Sequence, residues 1–231
     1  MTLPRAFYLR PACVVARGLL GCVLLSRRGR VLTAGRIVET EAYLGPDDAA
    51  SHAAIRPVAA RGLFYGPGGR AYVFRIYGVH HCLNAITGRT GHPGCVLIRA
   101  LEPIAGTRAM ARRRGVAAES VGLTNGPGKL AEALAITLRD NGADLTRGRL
   151  VIGRPPGPRG FAVGVGPRVG VTRAVDRLLR FWIRGNPYVS RPWRPERVMR
   201  PAPACGAGVP PRARARRRPR PRAARPGTTR A

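Results

Sequence analysis

Two glutamates and a tyrosine stand on one face of a strand. In Ile37-Val38-Glu39-Thr40-Glu41-Ala42-Tyr43 the two-residue period of extended backbone places Glu39, Glu41 and Tyr43 on the same side. The chain has 11 acidic residues against 41 basic ones, so two adjacent carboxylates on an apolar strand need a reason. An ion pair with an arginine is one; a positioned general base is the other. Arg99 lies inside the apolar run Cys95–Leu101. A buried arginine demands a carboxylate partner, and Glu41 and Glu102 are the candidates.

Other polar groups stand near that strand in sequence. His52 follows the turn Leu44–Asp48 and reads either as a satisfied loop histidine or as part of the same site. In Ala71–Val79 the pair Tyr77-Gly78 reads as the tip of a hairpin. A large aromatic at a solvent-exposed tip is suited to stacking on or between bases; if the turn lies elsewhere, Tyr77 is core. His80 and His81 point to opposite faces of one strand, and no second cluster supplies partners for a metal. Asn84, on an apolar strand, must satisfy its amide or read something that enters. Lys129, after Gly126-Pro127-Gly128 at a helix start, reads as a backbone or phosphate contact. Gly164, Gly166 and Gly170 miss the dinucleotide-binding spacing by one residue. No Ser/His/Asp order and no Cys/His pair compels a nucleophile, and no cofactor is expected.

The elements that position these residues are short and mostly extended. A helix is expected near Pro11–Ala16 and a strand near Leu19–Ser26. Strands are expected over Val31–Tyr43, Tyr72–Ile76, Val79–Ile86 and Cys95–Leu101. Helices are expected over Pro103–Arg114 and Lys129–Ile136. Leu150–Ile152, Phe161–Val165, Arg168–Val171 and Leu179–Arg184 read as short strands. Strands outnumber helices and no strand–helix–strand alternation recurs, which favours an α+β class with a mainly antiparallel sheet.

Composition narrows the partners. Hydrophobic residues make up 45% of the 231, enough for one core and against membrane, collagen-like or fully disordered classes. Net charge is +30, of which Arg191–Ala231, with thirteen arginines and one acid, carries +12. A chain this basic binds polyanions, although a single lysine among abundant Arg, Ala, Gly and Pro also marks GC-rich coding. Residues 1–190 read as one domain. Residues 191–231 read as a disordered basic tail that either adds affinity for phosphates or has no specific role. Five cysteines without C-x-x-C spacing read as buried thiols in a reducing cytoplasm. The apolar run Ala12–Leu25 is split by Arg17 and lacks a cleavage signal, and it is too short to span a bilayer.

Several blocks together resemble one family. ETEAYLGPDDAASHA, YVFRIYGVHHCLNAIT, VLIRALEP, GPGKLAEALAI and RFWIRGNPYVS are similar to the alkyladenine (3-methyladenine) DNA glycosylases, in order from about Ala16 to Ser190. The resemblance implies a single compact domain with a curved antiparallel sheet, a protruding hairpin and flanking helices. It implies a monofunctional, metal-free enzyme acting as a monomer on double-stranded DNA at the nucleoid. Such an enzyme flips out damaged purines and hydrolyses their N-glycosidic bond. By the same resemblance Glu41 activates the water and Arg99 positions it. Tyr77 wedges into the base stack, Tyr43, His52 and Phe74 wall the base pocket, and Asn84 excludes the exocyclic amine of guanine. Two departures stand out: Phe74 replaces a common tyrosine, and the loop Ile55–Gly62 is short and lacks the Thr and Arg-Asn residues expected near Arg61. The competing readings are a non-catalytic basic nucleic-acid-binding protein and a relative that binds lesions without cutting.

Overall fold

Strand β2 (Val31–Tyr43) is the spine of the molecule, and every other part of the sheet is hung on it. The computed structural model of the chain describes residues 1–55, 62–154, 157 and 160–190. The expected tail from Arg191, Cys205 within it, and most of the short loop Ile55–Gly62 lie outside the described residues.

On one side β2 pairs along its length with β5 (Gly94–Ala105). Beyond β5 come β4 (His80–Thr87) and β3 (Ala71–Ile76). On its other side β2 changes partner. Its first half pairs with β1 (Val23–Arg28), which in turn carries β6 (Leu150–Gly153). At Glu39–Glu41 it takes β8 (Arg180–Ile183), which carries β7 (Val163–Gly166). All these ladders are antiparallel, the sheet is curled, and its fork lies at the Glu39–Glu41 segment.

Short helices cover the sheet: α1 (Arg5–Tyr8), α2 (Ala12–Leu19), α3 (His52–Ile55), α4 (Thr107–Arg114) and α5 (Pro127–Ala133). Helix α2 presents Cys13, Val15, Ala16 and Leu19 to the core, the spacing of an amphipathic helix. The fold is α+β, as its sequence pattern indicates. Among the described residues no helix is long and apolar enough to cross a membrane.

Four expected elements are corrected. The helix expected near Pro11–Ala16 runs on to Leu19 as α2, and the strand after it starts only at Val23, because Gly21 turns the chain at φ +80°. Pro103 begins no helix: β5 continues through it to Ala105, and Pro103 sits opposite Gly35 beside a register shift, where a missing N–H is tolerated. Gly106, at φ 74°, then makes the break before α4. Arg168–Val171 is not a strand; it is a loop leaving β7, held by side-chain bonds.

Candidate active site

The spine places Glu39 and Glu41 at the fork, both fully buried. Burying two carboxylates is costly unless cations and donors surround them. The β2–β5 ladder supplies the first cation through its irregularity. Glu39 faces Ala100 and Thr40 faces Ile98, leaving Arg99 as an extra residue on β5. Such a bulge re-aims a side chain. Arg99 Nε lies 3.0 Å from Glu39 Oε1, and its Nη1 lies 3.3 Å from Glu41 Oε1. Glu102, the other candidate partner, instead accepts from Asn186 at 3.0 Å and lies 3.6 Å from Arg36.

The two glutamates then differ. Glu39 is saturated: Arg180 Nε donates to Oε1 at 2.6 Å, the Ser190 hydroxyl at 3.0 Å, and the Ser190 N–H to Oε2 at 2.6 Å. Glu41 is held more openly. Oε1 accepts the Val169 N–H at 2.7 Å, and Oε2 accepts the Tyr43 hydroxyl at 3.0 Å. A carboxylate has about four lone-pair sites, so Val169, Tyr43 and Arg99 leave room for one further donor. Burial pushes the Glu41 carboxyl above its ordinary range, against the opposing pull of Arg99, Val169 and Tyr43. Burial and the Glu41 charge raise the Tyr43 hydroxyl well above its ordinary value, so it stays a donor at physiological pH.

Tyr43, Arg99 and Val169 open onto a cavity of about 440 Å³, a size typical of small-molecule sites. Glu41 sits directly behind these three. The aromatic wall comes from β3 and α3. His52 Nδ1 is 2.9 Å from the Tyr72 hydroxyl, and its ring meets Phe74 edge-on at 4.5 Å. Tyr72 stacks on Phe74 at 5.4 Å. Asn84 of β4, opposite Tyr72 in the ladder, donates to the Tyr72 carbonyl at 3.2 Å, and its oxygen meets the Cys95 thiol at 3.8 Å. Burial pushes the Cys82 thiol of the same cavity up to about 11 and that of Cys95 up to about 12, so both are neutral.

Tyr77 stands at the cavity mouth, 85% exposed, on the turn between β3 and β4. It and Gly78 have φ of 51° and 72°, the pattern of a two-residue turn whose central positions favour Gly, Asn or Asp. A bulky aromatic held there is strained and unburied, which points to function rather than packing.

This arrangement is a buried carboxylate behind an aromatic-lined cavity, beside an exposed tyrosine. The family model described as methylpurine-DNA glycosylase (MPG) matches residues 6–187. The chain belongs to the methylpurine-DNA glycosylase family. It is an enzyme, a DNA glycosylase, and hydrolyses N-glycosyl bonds. A protein of Methanoculleus marisnigri is 47% identical over 194 residues, covering 83% of this chain and 100% of that protein. One from Anaeromyxobacter dehalogenans is 50% identical over 196 residues, covering 83% and 88%. One from Carboxydothermus hydrogenoformans is 41% identical over 194 residues, covering 83% and 100%. All three carry the provisional name 3-methyladenine DNA glycosylase.

In this glycosylase all seven residues singled out in the sequence meet at one place: Glu41 behind the cavity, and Arg99, Tyr43, His52, Phe74, Asn84 and Tyr77 lining it. Sequence reasoning missed Tyr72, which links His52, Phe74 and Asn84, and the Val169 N–H on Glu41. It also missed Arg180 and Ser190, which take up Glu39, and the buried pair Arg168–Asp48. Lys129 donates to Asn125 at 2.8 Å and does not line the cavity. The four described cysteines are free thiols, all buried.

Proposed function

We propose that this glycosylase turns an alkylated purine out of duplex DNA into the cavity and hydrolyses its N-glycosidic bond with a water activated by Glu41. The substrates are 3-methyladenine, as in the names of its relatives, and 7-methylguanine; hypoxanthine is a neutral third, whose departure requires in addition a proton on the leaving purine. The observation that carries this reading is the buried Glu41 carboxylate, with one acceptor site to spare behind an aromatic cavity. In the reaction the water oxygen bonds to the sugar C1′ and its proton passes to Glu41. The glycosidic electron pair leaves with the purine. Alkylation at N3 or N7 makes the base cationic, so it departs neutral and needs no acid. Tyr43, Tyr72 and Phe74 line the cavity, and a π contact of any of them with that cation is worth about 0.5–2 kcal/mol. Glu41 and its donors act on the positive charge that develops at C1′. Damaged bases stack poorly, so extruding them costs less. In this reading residues 1–190 are the glycosylase domain of a monomer acting at the nucleoid, and the basic residues 191–231 add affinity through phosphates.

The reading is tested by incubating the protein with duplex DNA methylated by dimethyl sulfate and separating what is released. Free 3-methyladenine and 7-methylguanine are expected, with strands that break only after alkali. Bound DNA with no free base points instead to a lesion-binding relative.

Two further outcomes follow. Excision under single-turnover conditions should rise with pH along a limb set by Glu41 ionisation. Because burial raises that carboxyl, the limb lies above the ordinary glutamate value of about 4.3; a rate flat down to that value contradicts the assignment. Tyr77→Ala removes an exposed side chain, so the melting temperature should not move. Its affinity for abasic or lesion duplex should fall by about 1–3 kcal/mol, the worth of one stacked base. Unchanged affinity in a titration removes Tyr77 from the interface.

A further inference from the structure

We infer that the buried ion pair Arg168–Asp48 is a positioning device for the base: it holds in place both hydrogen-bond donors that aim the Glu41 carboxylate. The inference rests on the general-base reading of Glu41.

The geometry is specific. Arg168 and Asp48 side chains have no exposed surface and meet in a fork, at 2.6 and 2.8 Å. A two-pronged guanidinium–carboxylate contact fixes direction as well as distance. From that fork Arg168 reaches three parts of the site. Its Nη1 donates to the Ala42 carbonyl at 3.1 Å, between Glu41 and Tyr43. Its guanidinium lies over the Tyr43 ring, 4.6 Å from the centroid, which sets the ring that delivers a hydroxyl to Glu41 Oε2. Its own backbone leads directly to Val169, whose N–H is bonded to Glu41 Oε1. Asp48 anchors the other end: its carboxylate accepts the N–H groups of Leu44 and Ala50 at 3.1 and 3.3 Å, and its carbonyl accepts the Ser51 N–H at 2.7 Å. That loop opens into α3 at His52.

Neither residue lines the cavity, so neither touches the base. Removing the fork leaves charge elsewhere in the site intact but lets the Tyr43 hydroxyl and the Val169 N–H drift from Glu41. Two consequences follow in opposite directions on different observables. The water is held less well, so chemistry slows. Glu41 loses donors that favour its ionised form, so its pKa climbs and the acid limb of the rate profile moves to higher pH.

The test uses the full chain carrying Asp48→Asn, Asp48→Glu or Arg168→Lys, with wild type and Glu41→Gln beside them. Single-turnover excision from methylated duplex DNA is followed across pH, together with affinity for the same duplex. Asp48→Asn and Arg168→Lys are expected to bind DNA as wild type does and to excise about ten- to a hundredfold more slowly, the range for small misplacement of a reacting group. Their acid limb should move up in pH, and Asp48→Glu, which keeps the charge, should recover part of the rate. An unchanged rate and limb in folded Asp48→Asn or Arg168→Lys overturns the inference. So does a loss that appears only in affinity.

Wild type offers a reading that needs no variant. The Val169 amide resonance should titrate with the same midpoint as excision, and an amide blind to that midpoint removes the coupling. Glu41→Gln separates the two claims. Excision by that variant near the wild-type rate defeats the general-base reading itself, whereas a Glu41→Gln slowed by about 10²–10⁴-fold beside an unaffected Asp48→Asn defeats only the positioning role.

Discussion

Glu41→Gln should bind lesion DNA at least as well as wild type and excise about 10²–10⁴-fold more slowly, the usual contribution of a positioned base. Glutamine keeps the shape and one acceptor oxygen, so the Val169 N–H or the Tyr43 hydroxyl retains a partner. It cannot take a proton from water. It also removes a negative charge from behind the cavity, which does not weaken binding of a polyanion. Stability gives an independent check. Burial pushes the Glu41 carboxyl above its ordinary range, so the folded protein holds its charged form less readily than the unfolded chain does. At neutral pH that charge therefore subtracts from stability, which offsets part of the cost of the hydrogen bond that the amide cannot accept, and the variant should stay folded. A variant that loses excision by unfolding would lose DNA binding as well, and calorimetry beside a binding titration tells the two apart.

Arg99→Met should be the most damaging single change to the fold of the site. Arg99 is the cation shared by Glu39 and Glu41, its side chain only 8% exposed. Removing one partner of a buried ionic cluster costs about 3–5 kcal/mol. The loss does not fall equally on the two glutamates. Glu39 keeps Arg180 and both groups of Ser190. Glu41 keeps only the Val169 N–H and the Tyr43 hydroxyl, so its pKa climbs further above that of the unfolded chain. A folded carboxyl with a raised pKa binds protons that the unfolded chain releases, and stability then falls as pH rises between the two values. The deficit of Arg99→Met should therefore be larger at pH 7 than near the ordinary glutamate value. Urea unfolding at several pH values measures it, and a deficit independent of pH would place the damage in packing rather than in Glu41.

Much of this site was legible because its parts are local. Glu39, Glu41 and Tyr43 follow from a two-residue period, and Tyr77 from a hairpin whose two halves are plain apolar runs. The motif blocks then joined Arg99, His52, Phe74 and Asn84 to them. What escaped reading is what distance in sequence hides. Arg168 and Asp48 lie 120 residues apart, and Arg180 and Glu39 lie 141 apart; no periodicity links such pairs. A signal was present all the same, since few acids serve this chain and Asp48 sits in the same short stretch as Glu41 and His52. The bulge at Arg99 was hidden for another reason. It depends on register between strands, and a register shift of one residue changes which face a side chain takes. The same is true of Pro103, which resembles a helix start until β2 is laid beside it.

In the proposed reaction a carboxylate of this chain, acting on water, breaks the bond between a methylated purine and its sugar. The most direct measurement is release of free 3-methyladenine from methylated duplex DNA by the purified protein in EDTA, with Glu41→Gln alongside. Release by the wild type, with that by Glu41→Gln slower by about a hundredfold or more, is the predicted result. Equal release by both, or none by the wild type while it binds the lesion tightly, would contradict it.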